Sequence, residues 1–583
     1  MKIRLMYSFL FLLSGGLNTF SQLPYLDKSE NSIKLIVDGE PYIMLGGELH
    51  NSTSSSEQYM QDVWADMATI NLNTVIATVS WELIEPVEDQ FDFSIVDAII
   101  EGARNEDLKL VLIWFGSFKN PWMTYAPSWV KANPERFPRA QNAKGDDLEH
   151  PSMFGKNVLK ADARAYTELM KHIKETDLDY TVLMMQIGNE PGLRGAARDY
   201  SAAAEKAWKS DVPEQLISYM EANKNTLQPD LYQAWTENGI NTDGSWEEVF
   251  GKSVTEDDGS SNIINFTEHV FTAYSYALYL DLLSSEGKKV LPIPTFTNAA
   301  FFGINSGGRS IGNGCAIPEF FDLYRAGAPS LDILTPNSYK LELDEICQAY
   351  AWKDNPILIP ESRAIAARPL YAIGEWDALC FSPFAIDDID PAYLTAEQSL
   401  YADTYAMMRN MYGLLTSNLG SEKMRGVFIY PGKEVETLEM GNYKFTISPR
   451  KGFDIGAVMG KAAQQAERNR KGDPTVEGEE DHQAPDPPPN LFGASGQSEE
   501  ATMGGAIIIQ ISADEFYLVG YGINADISVK DDIPIRFCGY DAIWEGTFEN
   551  DSFIPGRLLN GDERSVYLNN SAIGALKVKM YYY

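Results

Sequence analysis

The feature that most constrains the fold of this chain is a series of apolar runs that each end abruptly in polar residues. The clearest is Thr181–Gly192, TVLMMQIGNEPG, in which Val182–Met185 is wholly apolar and Asn189 and Glu190 follow shortly after. Such a run is typical of a strand buried on both faces, as in a parallel sheet. A carboxylate at its end either caps a following helix or lies where a parallel barrel keeps its chemistry.

Comparable runs alternate with helical patterns along the chain. After Ser56 and Glu57, apolar residues recur at spacings of three to four, at Tyr59, Val63 and Met67, which predicts a helix. Alternating β and α units with buried strands predict a (β/α)8 TIM barrel, an α/β fold. The predicted strands lie within Leu35–Gly47, Val75–Val79, Leu108–Phe115, Thr181–Ile187, Val290–Thr297, Leu331–Tyr339, Asn355–Arg363 and Leu370–Phe384.

The pattern divides the chain into two predicted domains. Residues 30–420 form the barrel, with an irregular insertion near 203–260. Residues 421–583 contain short strands separated by turns, which predicts a C-terminal β-sandwich. Within it, residues 461–500 are polar and rich in Pro and Glu, so we expect a mobile or irregular loop there.

The first 21 residues have the pattern of an export signal. Lys2 and Arg4 precede a short apolar run at Leu5–Leu13, and small polar residues lead to a plausible cleavage site near Ser21. The run is too short to span a bilayer, and no later stretch is long and apolar enough. We therefore expect an exported protein, periplasmic or secreted, with no membrane span.

The charge and the cysteine content limit the kinds of partner and cofactor that the protein is expected to bind. The formal net charge of −36 repels phosphate backbones and anionic lipid, which argues against nucleic acid and membrane-surface partners. The four cysteines form no CxxC unit, so we expect no metal cluster, while one or two disulfides are possible. Oligomeric state is not readable from the sequence.

Two carboxylates at strand ends form the candidate catalytic pair. Glu190 follows the fourth predicted strand and Glu361 lies at the end of the seventh. Because the carboxyl ends of all barrel strands meet at one face, both side chains are expected there. A protonated and an ionised carboxyl group are what a retaining glycosidase needs. Asn189 is then a candidate donor to the sugar 2-hydroxyl, and Tyr339 a candidate donor to the nucleophile.

Six motifs, in this order and spacing, point to a known family. They are GGELH at Gly46–His50, WELIEP at Trp81–Pro86, QIGNEPG at Gln186–Gly192, TPNSY at Thr335–Tyr339, PESR at Pro360–Arg363 and FSPF at Phe381–Phe384. In them the chain resembles the glycoside hydrolase family 35 β-galactosidases, which are clan A retaining glycosidases, over most of residues 30–583. The likeness is to a bacterial branch with an extra C-terminal domain.

The resemblance implies Glu190 as acid/base and Glu361 as nucleophile, terminal β-linked galactose as substrate and no cofactor. Two segments depart from the family. Gly188 stands where a second Glu is usual, and Lys119–Trp122 replaces the usual Cys-Ala-Glu. Asn120 and Trp122 are candidate substitutes for the missing sugar contact.

Further candidates for sugar contact each have a purely structural alternative. Trp81 forms either barrel core or the wall of the sugar site, and Trp376 either core or an aromatic platform. Glu48 and His50, at the end of the first strand, contact either sugar or protein.

We therefore expect an exported retaining exo-β-galactosidase acting on plant-type oligosaccharides, with xyloglucan fragments as one candidate. The alternatives are another clan A barrel glycosidase, such as a β-mannanase, glucanase or arabinosidase, and a non-catalytic glycan-binding protein on a decayed barrel.

Overall fold

A computed structural model describes residues 21–29, 32–120, 122–252, 266–300, 313–352, 354–450, 503–559, 561 and 563–583. The predicted export signal, except for Ser21, and the predicted polar loop at 461–500 lie outside these residues.

Eight parallel strands close into a barrel, which confirms the predicted (β/α)8 architecture. The strands are short and almost entirely buried, because helices cover the barrel outside and side chains fill it inside. In order around the barrel they are β4 (Met44–Glu48), β5 (Thr74–Ser80), β6 (Lys109–Lys119), β9 (Val182–Asn189), β10 (Thr295–Ala300), β11 (Ile333–Ser338), β12 (Ile359–Ser362) and β13 (Cys380–Pro383).

Helices surround the barrel. They are α1 (Glu57–Thr69), α2 (Trp81–Ile84), α3 (Ser94–Asn105), α4 (Ser128–Lys131), α5 (Lys156–Thr176), α6 (Ala202–Trp208), α7 (Glu214–Ala222), α8 (Pro229–Glu237), α9 (Trp246–Phe250), α10 (Phe266–Val290), α11 (Phe321–Gly327), α12 (Leu343–Tyr350), α13 (Ala367–Trp376), α14 (Ala396–Asn410) and α15 (Tyr412–Asn418). The predicted irregular insertion is in fact built largely of the short helices α6 to α9. A two-stranded hairpin, β7 (Arg139–Gln141) and β8 (Asp147–Pro151), precedes α5.

Helix α1 begins as predicted, because the Ser56 side chain accepts a hydrogen bond from the Tyr59 N–H. Its buried face agrees with the prediction at Met67 but is displaced by one residue in the first two turns. Met60, Trp64 and Met67 are buried, whereas Tyr59 is 66% exposed. Two adjacent stripes of α1 satisfy the helical spacing, and only packing against the barrel selects between them.

The predicted strand at Leu370–Phe384 is wrong in its first half. Residues Ala367–Trp376 form α13, and the strand, β13, begins only at Cys380. The error has a physical cause, since α13 lies between the barrel and the C-terminal domain and is buried on nearly every side. A helix that is apolar all round has no stripe that distinguishes it from a buried strand.

A small antiparallel sheet closes the end of the barrel where the strands begin. It comprises β1 (Tyr25–Asp27), β2 (Lys34–Val37) and β3 (Glu40–Tyr42), with the predicted Asp38-Gly39 turn between the last two. Both turn residues have positive φ, 51° and 87°, as such a two-residue hairpin requires. Leu35 and Val37 pack into the lower barrel interior.

Two antiparallel sheets form the C-terminal domain, which confirms the predicted sandwich. Side chains from both sheets meet in one buried cluster that includes Val427, Phe445, Leu518 and Ile527. One sheet has the order β14 (Met424–Ile429), β17 (Gly504–Gln510), β18 (Glu515–Tyr521), β23 (Gly574–Tyr582), β20 (Cys538–Glu549) and β21 (Ser552–Leu558). The other has the order β15 (Glu436–Met440), β16 (Tyr443–Pro449), β19 (Ile523–Val529) and β22 (Val566–Tyr567).

All four cysteines lie in the described part of the chain and none is disulfide-bonded there. Among the described helices, none combines the length and apolar character needed to cross a membrane.

The two domains pack tightly against each other at helix α13. Helix α13 lies against β14 and β17, and the Arg425 guanidinium binds both carboxylate oxygens of Glu375, at 2.6 and 2.7 Å. Gly426 lies so close to α13 that a Cβ atom there would meet the Glu375 nitrogen at 2.7 Å and the Tyr371 oxygen at 2.8 Å. Only glycine fits this approach without displacing backbone.

We predict that Gly426→Ala destabilises the protein by about 1–3 kcal/mol, the usual cost of overpacking. The matched control is Gly574→Ala, whose added methyl would meet only the Leu568 side chain, at 3.6 Å. Urea unfolding followed by tryptophan fluorescence measures both. Equal losses in the two variants would contradict the importance of this junction.

Candidate active site

The structure brings Glu190 and Glu361 together at the barrel face where the strands end. A single amide nitrogen joins them: Asn337 Nδ2, on β11, donates to Glu190 Oε1 at 2.8 Å and to Glu361 Oε2 at 2.7 Å. These two distances limit the separation of the two oxygens to about 5.5 Å. Retaining glycosidases have their two carboxyl groups about 5–5.5 Å apart, whereas inverting enzymes need a wider gap for water.

The backbone at the end of β9 explains how Glu190 is presented. Gly188 has φ +72° and Glu190 has φ +46°, so the chain turns twice through the left-handed region. The Glu190 N–H is held there by Asn298 Oδ1 at 2.7 Å. A glutamate at position 188 would be strained in this backbone, which accounts for the glycine at this departure from the family pattern.

A chain of side-chain amides holds the carboxylate pair. Asn189 Oδ1 accepts from Gln186 at 3.0 Å and from Asn298 at 2.7 Å, and Asn189 Nδ2 donates to Asn120 Oδ1 at 3.0 Å. Asn298 Nδ2 also donates to Asn337 Oδ1 at 3.1 Å. Because the Asn337 oxygen is occupied in this way, its nitrogen is directed at the two carboxylates.

Glu48, at the end of β4, is a third buried carboxyl group in the site. It is 1% exposed, and its Oε2 has no hydrogen-bond partner among the described residues. Burial, followed by the charges of Glu361 and Glu190, raises the pKa of Glu48 well above its ordinary value. The Lys119 charge opposes that rise. These conditions favour the protonated form of Glu48.

Burial also raises the pKa of both Glu190 and Glu361, and the Glu190 charge adds to the rise at Glu361. Hydrogen bonding distinguishes the two groups. Glu361 accepts on both oxygens, from Asn337 and from the Tyr339 hydroxyl, and the Tyr339 bond lowers the pKa of Glu361. The described residues supply Glu190 with one side-chain donor, Asn337. The charged form is therefore better supported at Glu361.

Other predicted site residues lie around this cluster. Asn120 has positive φ and is held by the Asn189 amide. His50 lies 3.1 Å from Asp388 and edge-on to Phe384, 5.4 Å between ring centroids. The Trp122 ring is covered by the Arg194 guanidinium at 5.1 Å.

The structure places two predicted sugar contacts elsewhere. Trp81 is fully buried, and its indole donates to Glu85 at 2.8 Å, so it has no free face for a sugar. Trp376 was expected near a strand end, but it ends α13, which returns to the opposite end of the barrel from Glu361. The misplacement follows directly from the mistaken strand at Leu370–Phe384.

Sequence reasoning missed Asn337 as a bridge, and it missed Arg368 altogether. Arg368 is fully buried in the first turn of α13 and donates to the Ser338 oxygens at 2.7 and 3.2 Å. Ser338 lies between Asn337 and Tyr339, the two residues that donate hydrogen bonds to Glu361. This guanidinium therefore fixes the end of β11 that carries both donors. The rule that polar residues at strand ends meet at one face points to Asn337, but no local pattern points to Arg368.

Two separate stretches of the chain match protein families. Residues 50–250 match the glycoside hydrolase family 42 model, described as beta-galactosidase, and residues 401–570 match a domain of unknown function, DUF5597. A beta-galactosidase of Xanthomonas manihotis is 34% identical over 82 residues. That stretch is 14% of this chain and 14% of the relative's length.

Solved structures similar in part to this chain include beta-galactosidases from Halorubrum lacusprofundi and Marinomonas ef1, with TM-scores of 0.39 and 0.42 and identities of 15% and 14%. The chain covers 58% and 62% of them, with 63% and 65% of its own length. The beta-amylase catalytic domain of Paenibacillus polymyxa is also similar, at TM-score 0.41 and 12% identity, over 62% of this chain and 97% of that one.

The match over residues 50–250 includes Glu190. It supports the β-galactosidase part of the resemblance noted from the sequence. Assignment to family 35 stays a prediction.

We predict that Glu48→Gln stabilises the protein increasingly as pH rises above about 4.5. A carboxyl group whose folded pKa is raised binds its proton more tightly when folded, so wild-type stability falls as pH rises from the unfolded pKa through the folded one. Glutamine does not titrate and avoids this loss. Melting temperatures between pH 4 and 9 measure the effect, with the exposed Glu106→Gln as control. A pH-independent difference would contradict the prediction.

Proposed function

We propose that the protein is an exported retaining exo-β-galactosidase. The observation that carries the proposal is the single Asn337 nitrogen bonded to both Glu190 and Glu361. It keeps the two oxygens within about 5.5 Å, which suits direct attack by one group on the anomeric carbon while the other protonates the leaving oxygen.

In the first half-reaction, Glu361 attacks the anomeric carbon as the glycosidic bond breaks. Glu190 gives its proton to the departing oxygen, and a covalent glycosyl-enzyme remains. In the second, Glu190 takes a proton from water, the water oxygen attacks the anomeric carbon, and Glu361 leaves as a carboxylate. Burial raises the pKa of both groups, that of Glu361 to about 7, so the roles rest on hydrogen bonding: two side-chain donors support the ionised form of Glu361, whereas Glu190 has one and is more readily protonated.

Other site residues have supporting roles in this scheme. Asn189 lies beside Glu190, where its amide can approach the sugar 2-hydroxyl. Protonated Glu48 has one oxygen without a partner among the described residues, and it can donate or accept a hydrogen bond at a sugar hydroxyl. Asn120 and Trp122 border the same strand end through their contacts with Asn189 and Lys119.

The choice of galactose is supported by the family match over residues 50–250 and by the sequence resemblance to family 35. Plant-type oligosaccharides, with xyloglucan fragments as one candidate, follow from the bacterial branch that the chain resembles. Export rests on the pattern of residues 1–21. A β-mannanase, glucanase or arabinosidase with the same carboxylate pair is the principal alternative, and nitrophenyl glycosides of each sugar distinguish them.

We predict that a 2-deoxy-2-fluoro-β-galactoside with a good leaving group inactivates the enzyme and labels Glu361. The fluorine slows hydrolysis of the glycosyl-enzyme, so the intermediate accumulates. Peptide mapping by mass spectrometry locates the label, and Glu361→Gln is the control that should not be labelled. Labelling at another carboxylate would overturn the nucleophile assignment, and labelling only by the manno or gluco analogue would overturn the choice of sugar.

We also predict that Glu190→Ala loses most activity on substrates with poor leaving groups and least on nitrophenyl galactosides. Added azide should restore part of the turnover on activated substrates and give a β-galactosyl azide, because azide needs no base to attack the intermediate. Glu361→Ala is the matched control, and its azide product should have the α configuration. Equal losses on all leaving groups would contradict Glu190 as the acid.

A further inference from the structure

The outer face of the six-stranded sheet has a groove with a volume of about 260 Å³. We define this groove by Glu515, Tyr517, Trp544, Phe553, Lys577 and Lys579. On the other side of the sheet, alternate residues of the same strands, such as Phe516 and Ile543, pack in the sandwich core. The groove therefore lies on the face of the sheet that turns towards the barrel.

The barrel covers only part of this face. Val519 is buried in the cluster that includes barrel residues, whereas Tyr517, two residues before it on β18, is only partly buried. Tyr521 lies beside Ala367 at the start of α13, so the groove lies towards the other end of that helix. It is thus remote from the face that carries Glu190 and Glu361.

Two aromatic side chains form a row across the groove. Tyr517 on β18 pairs with Lys577 on β23, and Lys577 pairs with Trp544 on β20, so the three point to the same face. Strands lie about 4.8 Å apart, which puts Tyr517 and Trp544 roughly 9.6 Å from each other. This is close to the span of two linked pyranose rings.

Trp544 is only partly buried. It belongs to neither the sandwich core nor the barrel core, and within the described part of the chain its indole N–H has no acceptor. The Tyr517 hydroxyl is likewise without a partner there. Register shifts on both sides of Trp544 mark β-bulges, which re-aim side chains. Aromatic groups with a free polar end suit a ligand that is partly apolar and partly polar.

The charges of the groove are balanced. Lys577 lies 3.7 Å from Glu515, and Lys579 lies 2.9 Å from Asp541, so two cations face two anions. The whole chain has a net charge of −36, which further disfavours a polyanion. A neutral ligand rich in hydroxyl groups matches this combination of aromatic faces, donors and acceptors.

We propose that this groove is a second carbohydrate-binding site, which holds a neutral oligosaccharide segment remote from the catalytic face. Sugar rings stack on Trp544 and on the aromatic surface formed by Tyr517 and Phe553, whose own ring centroids lie 5.4 Å apart, and the sugar hydroxyls bond to Lys577, Lys579 and Glu515. Only the choice of a plant-type polymer as ligand rests on the proposed function. The groove tethers the enzyme to a polymer and does not extend the catalytic subsite.

The test uses the full chain with the substitution Glu361→Gln, so that the polymer can bind without being hydrolysed. Native gels containing soluble xyloglucan, galactan or anionic polygalacturonan measure retardation. We expect retardation by a neutral polymer, and Trp544→Ala and Tyr517→Ala should each weaken that binding about tenfold or more. The control is Tyr232→Ala, an exposed tyrosine on α8, and circular dichroism checks that every variant is folded.

Three outcomes would overturn the proposal: no binding of neutral polymer, equal binding by the groove variants and the Tyr232→Ala control, or stronger retardation by the anionic polymer. An absence of galactoside hydrolysis in the wild-type protein would instead count against the proposed function. The two failures are distinguishable because the binding assay involves no catalysis.

Discussion

The site depends on one physical constraint. Buried carboxylates repel one another, so they stay close together only where neutral hydrogen-bond donors hold them in place. Here the Asn337 nitrogen bonds to both Glu190 and Glu361, and the amides of Asn298 and Asn189 hold Asn337 in turn. Buried polar groups of this kind contribute to a defined geometry only when each has its partners. The amides of Asn189, Asn298 and Asn337 meet that condition, because each has partners on both its oxygen and its nitrogen, and so they hold the two carboxylates close together.

The barrel supplies what this arrangement requires. Strands β4, β9, β11 and β12 end at the same face, so the charge of Glu361 raises the pKa of Glu48, which lies 313 positions away in sequence. Below that face the strand end at Ser338 is held by a fully buried guanidinium, Arg368. Burying a cation with so few hydrogen-bond partners lowers the stability of the folded protein. Such a cost is typical of functional sites, and here it accompanies a strand end that must be rigid.

Helix α13, which follows the strand β12 that carries Glu361, also packs against the C-terminal domain. Helix α13 begins with the Arg368 segment under the site and ends with the Glu375–Arg425 pair at the sandwich. One helix thus connects the strand that carries Glu361 with the six-stranded sheet. The close approach at Gly426 leaves no room for a flexible join, so the sandwich is a brace for the barrel as well as the carrier of the groove at Trp544.

The sequence by itself determined the barrel, the sandwich and the candidate pair Glu190 and Glu361. Those predictions rest on apolar runs and on residues at strand ends, and both are local signals that any buried parallel strand must show. The sequence also determined the Asp38-Gly39 turn and the Ser56 cap, because each depends on interactions between residues that are close together in the chain.

Only the tertiary structure decided the rest. The helix at Ala367–Trp376 looked like a strand because it is buried on all sides, and burial on all sides comes from a second domain that no local pattern reveals. Trp81 and Trp376 were separated from the sugar site for the same kind of reason, since the direction of a side chain depends on what packs around it. The roles of Asn337 and Arg368 arise from contacts between strand ends and helices distant in sequence, and spacing along the chain contains no information about such contacts.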